Sequence, residues 1–146
     1  MIKSLELSNH RGIIVSGWGG LSQSKLPDNI FLVESVPYNW IFPKVAAVVH
    51  HGGAGTTRLA FRCGVPSIVV PFTVEQPFWG RLVARLRVGP SLIPRKRMTA
   101  DRLVAAITQT VGDREMAKQA RELSEKINAE DGVGRAVDII GKFMSL

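Results

Sequence analysis

Residues 46–57 read AAVVHHGGAGTT, and this stretch decides the fold. The four small or β-branched residues at 46–49 predict a short buried strand. Two histidines follow, then three glycines in four positions, and a helix-like run at 58–63. A glycine-rich turn between a strand and a helix presents free backbone N–H groups at the helix N-terminus. The helix dipole makes that place favourable for an anion, usually phosphate.

The order of the other predicted elements favours an α/β fold, with a Rossmann-like parallel sheet covered by helices on both faces. Further strands are predicted at 12–16, 30–33, 67–70 and 88–92, and helices at about 2–7, 55–63, 76–86, 99–111, 114–129 and 131–144. Thr99 is predicted to cap its helix, and the last helices are expected to pack rather than to carry chemistry. We expect a single domain over 1–146, with the sheet core in 1–98 and the last helices in 99–146. Because ligands bind such sheets at the carboxyl ends of the strands, the loops there predict one cleft.

Length and composition bound the class of protein. The chain has 146 residues, of which 45% are hydrophobic and 21% charged, as is ordinary for a soluble domain. It has no apolar run of membrane-spanning length and no secretory signal, and its lone Cys63 excludes an internal disulfide and a cysteine zinc site. The cytoplasm is therefore the expected location.

The net charge of +7 has two interpretations. It belongs either to a solvated basic face or to a surface that attracts an acidic partner, such as a nucleotide, an anionic membrane or nucleic acid. The sequence lacks RNA-binding aromatic motifs, zinc-finger spacing and heptads joined to a basic region, so nucleic acid is not expected.

The glycine turn is a candidate phosphate site, with a tight structural turn as the alternative. It is not a P-loop, because the Gly-Lys-Ser/Thr ending is absent, and it is a poor dinucleotide-binding fingerprint, because Arg58 occupies the position of the last glycine. His50 closes the strand and could donate a hydrogen bond to phosphate, whereas His51 is predicted to pack or to orient the turn. Adjacent side chains on a strand point opposite ways, so the two imidazoles are not expected to share a metal.

Glu75 and Gln76 form a second candidate site, between a strand-ending proline and a helix. A carboxylate and an amide at this place fit a helix N-terminus, where a carboxylate is favoured by the dipole. They also fit a sugar site, because a carboxylate accepts hydrogen bonds from hydroxyls and an amide both donates and accepts. The basic run 95–97 is predicted to be a solvated loop. The sequence shows no nucleophile–base triad and no glycosidase-like pair of carboxylates, so a general base is not evident in this chain.

Several segments together resemble a known family. They are SGWGGL at 16–21, SVPYNWIFPKVAAVVHH at 35–51, HHGGAGTT at 50–57, GVPSIVVPF at 64–72 and EQPFWG at 75–80. They are similar to the donor-binding half of GT-B fold UDP-glycosyltransferases, and most similar to sterol 3-beta-glucosyltransferases and related bacterial enzymes. The likeness covers about residues 10–112.

The resemblance implies a role for each matching position. It implies a diphosphate site at His50, Gly52, Gly53, Gly55 and Thr56, a sugar site at Glu75 and Gln76, and a nucleobase and ribose site near Trp18, Ser35 and Val36. Glu75 departs from the aspartate that is usual in the family. The implied reaction is inverting transfer from a UDP-sugar, expected to be UDP-glucose, to a hydroxyl of a sterol or other lipid-like acceptor. No metal or other cofactor is expected.

Two parts of that family's enzymes have no counterpart in the sequence. They are the N-terminal acceptor domain, which carries the catalytic base, and the first strand of the donor domain. The chain is therefore expected to be a fragment, a split partner or a truncated reading frame, with weak or no transferase activity alone. Unpaired strand edges predict reduced stability or pairing with another chain.

Two other functions remain open at this point. The chain could be a nucleotide-sugar-binding module without catalysis, or a structural partner whose basic surface binds anionic membranes, with peripheral membrane contact.

Overall fold

The computed structural model of the protein describes residues 2–17 and 26–144. The helices are α1 (Ile2–Ser8), α2 (Tyr38–Ile41), α3 (Ala54–Cys63), α4 (Gln76–Arg85), α5 (Ala100–Gly112), α6 (Arg114–Asn128) and α7 (Gly132–Met144). The strands are β1 (Gly12–Val15), β2 (Ile30–Val33), β3 (Val48–His50) and β4 (Ser67–Val69). Short 3₁₀ turns lie at Phe42–Lys44 and Arg95–Arg97. Trp18 lies outside the described residues.

The described strands form two parallel pairs. β1 pairs with β2, with Gly12 opposite Ile30, and β3 pairs with β4, with His50 opposite Val69. Each pairing runs on past the assigned strands, since the N–H of Gly17 donates to the carbonyl of Glu34 at 3.0 Å. The α/β class and the parallel pairing confirm the prediction, but the described strands form two separate two-stranded sheets, and no hydrogen-bonded ladder joins β1 or β2 to β3 or β4 in the described residues.

The core shows helices on both faces of β4. Ile68, fully buried, packs with Leu103 and Ile107 of α5. Its neighbour Val69 points the other way and packs with Phe61 of α3 and Val83 of α4. Successive strand residues point to opposite faces, so two adjacent β-branched residues suffice to anchor both helical layers.

The strand predicted at 88–92 is not formed. The N–H of Ser67 donates to the carbonyl of Val88 at 2.9 Å, and the N–H of Ile93 donates to that of Val69 at 2.9 Å, so the segment follows β4 with only these two bonds. Pro90 has no N–H to donate, and Gly89 lies against the carbonyl oxygen of Ser67. These two residues interrupt a continuous ladder.

The last helix, α7, does not pack against the rest of the described chain through its apolar side, contrary to the prediction. The sequence predicts that α7 packs through its apolar stripe, but none of its described residues is buried. Val133, Val137 and Ile140 on that stripe are 78%, 62% and 56% exposed.

α5 and α6, in contrast, contribute buried residues. Thr99 caps α5 as predicted, accepting from the N–H of Arg102, and Asp113, which the sequence did not single out, caps α6 by accepting from the N–H of Met116. Among the described residues, no helix is long and apolar enough to cross a bilayer.

Candidate functional site

The glycine turn is fixed by contacts that only glycine allows. Gly52, directly after β3, has φ +87°, a conformation that side chains other than glycine's rarely adopt. A Cβ at this position would also meet the Cγ1 of Val69 at 2.6 Å and the backbone oxygen of Gln76 at 3.1 Å. The turn is therefore packed against β4 and against the first residue of α4. This contact brings the two candidate sites of the sequence side by side.

His50 is hydrogen-bonded to the glycine turn. Its Nδ1 accepts a hydrogen bond from the N–H of Gly52 at 3.0 Å. Burial, and secondarily the neighbouring His51, lower the pKa of His50 from 6.5 to about 4, so the imidazole is neutral at pH 7. Since Nδ1 accepts, the single ring proton lies on Nε2. That Nε2 is buried and has no hydrogen-bond partner among the described residues.

His51 occupies the other side of the chain. It is exposed, and its Nε2 lies beside Gly53, the residue before α3. The sequence predicts that His51 packs or orients the turn, and its contact with Gly53 fits packing against the turn. The hydrogen bond to the N–H of Gly52, which the sequence did not assign, is made by the imidazole of His50.

The start of α3 is open toward solvent. Its N-cap residue is Gly53, and no described side chain caps the helix. The N–H and hydroxyl of Thr57 both bond the carbonyl of Gly53, at 3.0 and 2.9 Å, which anchors the first turn. Gly55 has nothing within 4 Å of a Cβ position, and Thr56 is half-buried. The uncapped N–H groups and positive dipole end suit an anion.

Gln76 and Glu75 differ in what they contact. Gln76 is buried, and its Oε1 accepts from the N–H groups of Phe72 and Thr73 at 2.6 and 3.0 Å. Its Nε2 amide is the part that could donate to a ligand. Glu75 is exposed and accepts from the hydroxyl of Thr73 at 3.1 Å. Glu75 is the N-cap residue of α4, so the pair lies at a helix N-terminus as that alternative predicted, although the Glu75 carboxylate makes no capping hydrogen bond.

A separate pocket of about 530 Å³ lies where β1 and β2 end. It is lined by Val15, Gly17, Glu34, Ser35, Val36 and Tyr38. It includes the two predicted nucleobase residues, Ser35 and Val36. Glu34 and Tyr38 were not singled out from the sequence, although Glu34 directly follows β2 and was therefore findable from its place at a strand end. Among the described residues, no cluster of three histidine, cysteine or acidic side chains could hold a metal ion.

The parallel strand pairs, the helices on both faces of β4 and the loops at the strand ends fit the C-terminal domain of GT-B glycosyltransferases. Residues 13–140 match the family described as Erythromycin biosynthesis protein CIII-like, C-terminal domain, and the chain belongs to that family.

Relatives and solved structures agree with this membership. The chain is 41% identical over 145 residues to the sterol 3-beta-glucosyltransferase UGT80A2 of Arabidopsis thaliana, covering 99% of this chain and 23% of the relative. It is 40% identical over 140 residues to UGT80B1 of the same plant, covering 94% and 23%. The chain thus spans about a quarter of the length of these relatives.

The glycotransferase of kitacinnamycin superposes with a TM-score of 0.81 at 27% identity, over 89% of this chain and 34% of that one. The spinosyn rhamnosyltransferase SpnG complexed with thymidine diphosphate gives a TM-score of 0.75 at 26% identity, over 88% and 36%. Both comparisons support the GT-B fold.

Proposed function

We propose that this chain is the donor-binding part of an inverting glycosyltransferase. Its donor is a UDP-sugar, UDP-glucose in the first place, and its acceptor is a hydroxyl of a sterol or another lipid-like molecule. The named activity of the plant relatives supports the choice of donor and acceptor. The observation that carries the proposal is the buried Nε2–H of His50, which has no partner among the described residues and lies next to an open, glycine-rich helix N-terminus.

The diphosphate lies on the turn in this proposal. A buried donor without a partner costs free energy, roughly 1–3 kcal/mol, and a phosphate oxygen would supply the partner. Gly52, Gly53, Gly55 and Thr56 would offer N–H groups and a hydroxyl to the same phosphates. As the acceptor hydroxyl attacks the anomeric carbon, negative charge grows on the leaving diphosphate. Preorganised N–H groups and a helix dipole stabilise such charge.

The sugar and the nucleoside would lie on either side of the diphosphate. The free amide of Gln76 and the exposed carboxylate of Glu75 are donor and acceptor for sugar hydroxyls, and Gln76 touches Gly52. The nucleobase and ribose would use the pocket at Ser35 and Val36. The structure of SpnG with thymidine diphosphate supports a pyrimidine nucleotide as the kind of ligand. No metal is required in this proposal.

The rest of the active site would come from an acceptor domain, on the same or another chain. The relatives are about four times longer than the matched region, which supports such a domain. The exposed apolar stripe of α7 is a surface that it could cover. The general base would belong to that domain, and the longer enzyme would reach a lipid-like acceptor through peripheral membrane contact.

The test joins the acceptor-binding part of a plant sterol 3-beta-glucosyltransferase to this chain and measures UDP release from UDP-glucose with a sterol. We expect transfer by the fusion, little or none by the chain alone, and transfer reduced at least about tenfold at low UDP-glucose by a fusion carrying Gly55→Ala. Full activity of the isolated chain would contradict the proposed division of labour. A fusion that binds UDP but transfers nothing would favour a nucleotide-sugar-binding module without catalysis.

A further inference from the structure

A second groove, of about 860 Å³, lies between the loop after β4 and the loop before α5. We call it the basic groove; its lining includes the apolar Phe72, Pro77 and Leu92 and three consecutive basic residues, Arg95, Lys96 and Arg97, which we call its rim. The proposed donor site does not use any of these side chains. From the sequence, the basic run at 95–97 is predicted to be a solvated loop.

The rim carries positive charge that the described residues do not neutralise. Arg95, Lys96 and Arg97 are consecutive and exposed. The one ion pair among the described residues joins Lys118 and Glu122 on α6. The acid of the neighbouring loop, Glu75, accepts instead from the hydroxyl of Thr73. The rim therefore carries three exposed cations that form no ion pair among the described residues, and it can attract an anionic partner.

The same surface exposes apolar side chains. Phe72 is 56% exposed, and Val74, two residues further along the loop, is 97% exposed. The guanidinium of Arg95 lies 4.9 Å from the ring centre of Phe72. Exposed apolar side chains next to a cluster of cations are typical of surfaces that bind an interface with apolar chains and anionic headgroups.

We propose that the basic groove is a docking surface for an anionic lipid bilayer. The rim would meet the phosphates and carboxylates of the headgroups, and Phe72 and Val74 would enter the boundary with the acyl chains. Nucleic acid fits less well, because the aliphatic Val74 finds no partner on a phosphate backbone.

The basic groove lies next to the proposed sugar site. Thr73 lines the groove, and its N–H bonds the Oε1 of Gln76 at 3.0 Å. The proposed sugar site is therefore next to the docking surface. A sugar held there would lie close to the headgroup region, which is where a sterol presents its hydroxyl.

The experiment is co-sedimentation of the full chain with phosphatidylcholine vesicles, with and without about one-third phosphatidylserine, at about 0.1 M and about 0.5 M salt. The test variant is Arg95→Glu/Lys96→Glu/Arg97→Glu. The control is Arg114→Glu/Arg121→Glu/Lys126→Glu, which makes the same change in net charge at exposed positions of α6. Val74→Ser tests the apolar contribution, and circular dichroism confirms that each variant is folded.

We expect binding to the anionic vesicles alone, a loss of at least about tenfold in the groove variant, and a much smaller loss in the α6 control. Val74→Ser is expected to weaken binding severalfold. Equal losses in the two triple variants would overturn the proposal, because they would mean attraction by net charge alone. Absence of vesicle binding by the wild type would also overturn it.

Two competition arms separate other ligands. If inorganic phosphate displaces the chain more strongly than sodium chloride of the same ionic strength, the groove is a phosphate site and the bilayer proposal fails. Tighter binding to a single-stranded oligonucleotide than to the anionic vesicles, lost in the groove variant, would likewise contradict it. UDP binding by the groove variant, measured without phosphate, is expected to match that of the wild type, so failure of the bilayer proposal does not decide where the UDP-sugar binds.

Discussion

The backbone N–H of Gly52 donates to the Nδ1 of His50 at 3.0 Å, which joins the end of β3 to the turn that follows it. The bond requires a neutral imidazole, and burial provides it by lowering the pKa of His50 to about 4. It also fixes the ring proton on Nε2, where the described residues offer no partner. One half-buried imidazole thus shapes the turn and keeps a donor available to a ligand.

This arrangement makes the stability of the protein depend on pH. In the folded state His50 has a pKa of about 4, below the unfolded value of 6.5. The unfolded chain therefore binds the proton more readily between these values. The stabilisation is fully present above pH 6.5 and is lost as the pH falls toward 4.

We expect the free energy of unfolding to drop by about 2 kcal/mol more in the wild type than in His50→Asn between pH 7.5 and pH 5. The asparagine Oδ1 can still accept from Gly52 but does not titrate. Urea denaturation at the two pH values measures the difference. Parallel pH curves for the two proteins would show that His50 is not buried as described.

His50→Asn also separates the two roles of the imidazole in ligand binding. It keeps an acceptor for Gly52 and removes the Nε2–H, so the melting temperature at pH 7.5 should hold while the Kd for UDP rises about tenfold. His51→Ala is the matched variant on the exposed side of the turn. If only His51→Ala weakens binding, the direct phosphate contact belongs to His51 and His50 acts through the turn alone.

Gly52→Ala should damage the fold itself. Its φ of +87° and the contacts with Val69 and Gln76 leave no room for a methyl group. We expect a loss of about 2 kcal/mol or more in the free energy of unfolding, measured by chemical denaturation. Gly112→Ala, where nothing lies within 4 Å, is the control and should leave stability unchanged or slightly raised. Equal behaviour of the two variants would refute the tight packing of the turn.

Glu75→Gln tests the sugar contact. The side chain is exposed and bonds only the Thr73 hydroxyl among the described residues, so the fold should tolerate the change. We expect affinity for UDP-glucose to fall several-fold while affinity for UDP stays the same, because only the former carries the sugar. Calorimetric titration with both ligands gives the comparison. A loss common to both would place Glu75 elsewhere in the site.

Local patterns in the sequence predicted much of this fold. The strand, turn and helix around residue 50, the Thr99 cap and the parallel pairing are all set by nearby residues. Gly89 and Pro90, however, interrupt the strand predicted at 88–92. For α7, the apolar stripe predicts that something covers it, but no described part of this chain does so.

The site was predicted less completely, because it depends on which way side chains point. Alternation along β3 says that His50 and His51 face opposite sides, but not which one faces the N–H of Gly52. The two bonds to the Oε1 of Gln76 depend on the path of the loop at 72–73. The contact between Arg95 and the ring of Phe72 joins two loops that are distant in sequence, so the basic run at 95–97 could be assigned to a groove only from the fold.

The measurement that tests the central claim most directly is a calorimetric titration of the wild type, Gly55→Ala and Gly112→Ala with UDP. Neither substitution meets a neighbouring atom within 4 Å, so both variants should fold like the wild type. If the diphosphate lies on the start of α3, the methyl group at 55 occupies its place, and binding should weaken at least about tenfold only in that variant. Equal UDP affinity in all three proteins would contradict a diphosphate site on this turn.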